Sequence, residues 1–77
     1  MTTKQAVDAI QGCIHKIGEN ETLINFRQRL FKSSTDKMDA MWPGWENSPP
    51  KNIDETTTLT NSEKEELEHL LANCNAA

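Results

Sequence analysis

The chain has 77 residues, a net charge of -4, and a hydrophobic content of 35%, which suits one small domain with a thin core. Residues 1–45 carry a net +1 and residues 46–77 a net -5, so no bulk positive field exists to drive nucleic-acid binding. No apolar run approaches the ~18 residues of a membrane span, and Met1-Thr2-Thr3-Lys4 lacks the apolar core of a signal peptide. A cytoplasmic protein with reduced cysteines is the expectation.

The first predicted element is a helix over 3–17. Ala6, Val7, Ile10, Cys13, Ile14 and Ile17 recur at three- and four-residue intervals and so share a face. Thr2 or Thr3 is suited to cap its start, and Gly18 to end it in a left-handed conformation. Asn20 then caps a second helix, with Glu21 in the first turn and Leu23, Ile24, Phe26, Leu30 and Phe31 at helical spacing. So short a connection makes the two helices a hairpin.

Ser33-Ser34-Thr35-Asp36 interrupts the apolar pattern. One reading runs a single helix to Trp42, since Ile24, Phe31, Thr35, Met38 and Trp42 share a face. The preferred reading breaks it into helices over 21–32 and 35–42, because four consecutive poor helix formers favour caps over interiors.

Trp42-Pro43-Gly44-Trp45 predicts a type II turn. Pro fixes φ at its second position, and Gly supplies the positive φ needed at its third. Trp42 continues the apolar face and is expected to close the core. Trp45, followed by Glu46-Asn47-Ser48, is expected to be presented to a partner.

Residues 46–59 show no periodicity and read as a long irregular loop. Its 46–52 portion is polyproline-like, 54–58 could form a short strand but has no obvious partner, and Ile53 is its one candidate anchor. A last helix over 61–74 begins with the capping box Thr60-x-x-Glu63 and carries a stripe of Leu67, Leu70, Leu71 and Cys74. These elements define an all-α single domain over 1–77.

No motif carries chemistry. Cys13, His15, His69 and Cys74 lack the ligand spacing of structural zinc sites, so no metal is expected. The two cysteines read as small buried hydrophobes that could oxidise if the first and last helices bring them together. The glycines at 12, 18 and 44 are isolated, no nucleophile elbow is present, and neither enzyme nor cofactor is expected.

The sequence therefore points to a non-enzymatic protein-binding module, a small regulator, adaptor or inhibitor. Its partner would be another protein or a second copy of the chain, met through Met41, Trp42 and Trp45, with Arg29 and Lys32 adding polar contacts. The alternative is a nucleic-acid-binding regulator using the basic second helix.

Overall fold

The computed structural model describes residues 1–48 and 52–76. It is all-α: α1 (Thr3–Ile17), α2 (Glu21–Met41), a 3₁₀ turn (Trp45–Asn47), a single helical turn α3 (Ile53–Thr56), and α4 (Asn61–Ala76). No helix among the described residues is long and apolar enough to cross a membrane.

Thr2 caps α1 through a reciprocal box. Its hydroxyl accepts from the Gln5 N–H at 3.2 Å, and the Gln5 side chain accepts from the Thr2 N–H at 2.9 Å. Thr3, Ala6, Val7, Ile10 and Cys13 line the buried face. The helix ends at Gly18, whose N–H reaches the Ile14 carbonyl at 2.8 Å. Gly18 has positive φ, as expected, but at φ 89° and ψ 177° it lies outside the left-handed helical basin. That region is open essentially to glycine alone.

Asn20 caps α2 by accepting from the N–H groups of Thr22 and Leu23 at 2.9 and 3.2 Å. The expected break at 33–36 does not occur: α2 is one helix from Glu21 to Met41. The polar residues that argued for a break are each accommodated. The buried Ser34 hydroxyl meets Thr57 Oγ1 at 2.6 Å, and Thr35 bonds back to the Phe31 carbonyl at 3.2 Å. Lys32 pairs with Asp36 across the same turn at 3.1 Å. Tertiary and local bonds thus outweigh weak intrinsic propensity.

The buried face of α2 is Leu23, Phe26, Leu30, Ser34 and Met38. It is rotated by roughly a quarter turn from the Ile24–Phe31–Thr35–Met38–Trp42 face read from the sequence. Met38 is common to both; Phe31 and Trp42 are exposed. Trp42 is therefore not the closing core residue it was expected to be.

The type II turn forms as expected. The Trp45 N–H donates to the Trp42 carbonyl at 3.1 Å, and Gly44 sits at φ 84°, ψ 12°. The connection over 46–59 is more ordered than the sequence suggested. It includes the 3₁₀ turn and α3, and its deepest anchors are Thr57 and Leu59, while Ile53 is half-buried. Within the expected loop, residues 53–56 are helical, and Thr58 makes an isolated antiparallel bridge with Thr2. The Thr3 N–H bonds the Thr57 carbonyl at 3.0 Å, and the Leu59 N–H bonds the Met1 carbonyl at 3.2 Å. The N-terminal residues supply the partner that the sequence did not reveal. Of the polyproline-like segment, Pro49, Pro50 and Lys51 lie outside the described residues.

The Thr60–Glu63 capping box starts α4, with bonds of 2.8 and 3.2 Å. α1 is the central helix and packs against α2, α3 and α4. Ala6, Val7, Ile10 and Cys13 from α1 form the core with Leu23, Phe26 and Leu30 from α2, and with Leu59, Leu67 and Cys74. The expectation of reduced thiols is overturned. Cys13 and Cys74, each 4% exposed, form a disulfide with their Cα atoms 5.9 Å apart. This separation is typical of bonded pairs.

Candidate interaction surface

α2 is long enough to extend past the packed core, and its C-terminal part carries large side chains that the domain leaves in solvent. Phe31 is 47%, Met41 60% and Trp42 46% exposed. On a helix, Phe31 and Trp42 lie three turns apart on one side, with the half-buried Ile24 continuing the same line towards the helix start. Met41 also edges a groove of about 320 Å³ between α2 and the segment 56–60, lined by Lys37, Ala40, Thr57 and Leu59 among others.

The relative burial of the two tryptophans is the reverse of the sequence expectation. Trp45 is half-buried, and its indole N–H donates to the Asp39 carboxylate at 2.7 Å, which folds the ring back towards α2. Trp42, on the other side of the Pro43-Gly44 turn, is the indole in solvent. The acceptor, Asp39, lies six residues earlier in the chain.

The basic residues are engaged within the chain. Arg29 forms a two-pronged pair with Glu66 on α4, one prong at 3.3 Å, and its guanidinium stacks 5.3 Å from the Phe26 ring centroid. Lys32 is highly exposed but paired with Asp36. Arg27 donates to the Gln11 side chain at 2.6 Å, joining α2 to α1.

Lys37 was not singled out in the sequence, yet it ties three elements together. Its ammonium donates to the Thr58 carbonyl and to Glu63, both at 2.7 Å. Glu63 is 19% exposed and also accepts from the Thr60 N–H. Burial works against its charge. Hydrogen bonds from Lys37, the Thr60 backbone and Ser33, with the Lys37 charge, outweigh that and hold its carboxyl at about 2. The sequence signalled only the cap; nothing local tells which lysine would reach it.

Thr57 is the second residue the sequence did not reveal. Its hydroxyl lies 2.8 Å from Thr3 Oγ1 and 2.6 Å from Ser34 Oγ, and all three residues are buried. Every member of the cluster has a partner, so it is a structural pin joining α1, α2 and the connection rather than an open polar site.

Among the described residues, no three His, Cys, Asp or Glu side chains converge as a metal site would require. No family model, characterised protein or solved structure matches this chain.

Proposed function

We propose that the chain is a non-enzymatic protein-binding module, a small regulator, adaptor or inhibitor, and that it meets its partner through the exposed side of α2. The observation that carries this is the exposure of Phe31 and Met41 on α2 and of Trp42 at its C-cap. Large apolar and aromatic side chains held in solvent on a rigid element are the composition of interface hot spots. The turn adds rigidity: the Trp45–Asp39 bond fixes the chain just after Trp42, which lowers the ordering cost of engaging that indole.

The interface proposed here is centred on Trp42, with Met41 and Phe31 beside it and Lys32 at its edge. Trp45 supports it from behind. Arg29 is already committed to Glu66, so it serves the fold first. A second copy of the chain is one form the protein partner can take.

The nucleic-acid reading loses ground on the same observations. Arg29, Lys32 and Lys37 each face a carboxylate within the chain, so phosphate contact would have to displace an existing pair. The cytoplasmic expectation is also weakened, because it assumed reduced cysteines and the pair is bonded.

The test compares protein capture by the native chain and by Trp42→Ala. A partner retained by the native chain and lost by Trp42→Ala, with helicity unchanged, is the expected result. Equal retention by both, or salt-sensitive retention of duplex DNA abolished in Lys32→Ala, would overturn the proposal.

A further inference from the structure

The anchoring of α4 is uneven along its length. Its first half is held by polar bonds: the Thr60–Glu63 box, the Lys37–Glu63 pair and the Arg29–Glu66 pair. Leu67, 1% exposed, is the last α4 side chain before Cys74 to be fully buried. Beyond it, Leu70 and Leu71 are only partly buried against the core. Among the described residues, the side chains after Glu66 make no ion pair and no hydrogen bond to α1 or α2 except at Cys74, whose sulfur also faces the Cys13 carbonyl at 3.8 Å. Beside this end of the helix runs a groove of about 290 Å³, between the α1–α2 turn and α4, lined by Ile17, Asn20, Leu23, Leu70 and Cys74.

We propose that the Cys13–Cys74 disulfide is a redox latch on the C-terminal half of α4. Oxidised, it seals that half onto α1. Reduced, it frees residues 70–74 and opens the groove over Leu23 and Cys13, while the hairpin and the capped start of α4 stay in place. This inference concerns a different face of the molecule and is independent of the α2 interface.

The chemistry is thiol–disulfide exchange with a dithiol. One thiolate of the reductant attacks a sulfur of the pair, the Cys13–Cys74 bond breaks, and the departing sulfur takes up a proton. The reductant's second thiol then displaces the mixed disulfide. The chain gains two electrons and two protons, and the dithiol becomes a disulfide. The reverse reaction, with a disulfide-bearing oxidant, sets the latch. Because both sulfurs lie on residues only 4% exposed, attack requires the last turns of α4 to open first.

Amide hydrogen exchange on the oxidised chain, the dithiothreitol-reduced chain and the double variant C13S/C74S provides the test, with thiol alkylation read by mass. The oxidised chain is expected to take up no alkyl group before reduction and two after it. In the reduced chain and the double variant, exchange at residues 70–74 should rise by roughly tenfold or more, while residues 6–10 and 23–30 change by less than about threefold. Two alkyl groups on the chain before any reductant is added would overturn the pairing. Unchanged exchange at 70–74, or an equal loss of protection across the whole chain, would overturn the latch. The last result would include a double variant that fails to fold.

Discussion

Glu63 concentrates more of the fold's polar bonding than any other carboxylate described. Its folded value of about 2, against an ordinary 4.5, means the folded state favours the ionised form. The stability it contributes is present in full above pH 4.5 and is lost as pH falls from there through about 2. Glu63→Gln should therefore cost about 1–3 kcal/mol at neutral pH, with the difference from the native chain vanishing near pH 2 in urea melts. Gly12 offers the opposite change. It lies exposed inside α1, and a Cβ there would meet nothing within 4 Å. Gly12→Ala should stabilise the fold by about 0.5–1 kcal/mol, read as a rise of several degrees in thermal unfolding.

Between elements, the Thr3–Ser34–Thr57 cluster decides how α1, α2 and the connection sit together. Thr57→Val keeps the shape but leaves the buried Thr3 and Ser34 hydroxyls without the partner they share, so a loss of about 1–3 kcal/mol is expected in denaturant unfolding. Ser34→Ala in the Thr57→Val background should then cost much less than in the native chain, since the bond is already gone. The same cluster explains what could be read from the sequence. Caps at Thr2, Asn20 and Thr60, and the turn at Pro43-Gly44, are local bonds whose partners lie within four residues, so type and spacing were enough. Ser34 was misread because its partner is 23 residues away in a segment without periodicity. The relative burial of the two tryptophans was misjudged for a related reason. The apolar positions of α2 outnumber what the core can cover, and only packing against α1 decides which stripe turns inward. In the stretch around Pro43-Gly44 the sequence placed the turn, but it could not say which indole Asp39 would hold.

At the scale of the whole molecule, the chain is elongated, 43 by 22 by 17 Å, with a radius of gyration of 13.3 Å. A compact chain of this length would have about 11.5 Å. α2 accounts for the difference: at 21 residues it is about 31 Å long, against about 22 Å for α1. Solution scattering of a monomer should return a value close to that of the structure, and self-association through the far end of α2 would raise it well above. The disulfide has a mechanical consequence as well. Twelve residues precede Cys13 and three follow Cys74. A pull applied on either side of the bonded pair would be carried straight across it from α1 to α4. Only those flanking residues could be drawn out, roughly 50 Å when fully extended, against about 270 Å for the reduced chain. The load would fall on the first ten residues of α1, while the segment closed by the bridge, α2 included, would lie outside the line of force.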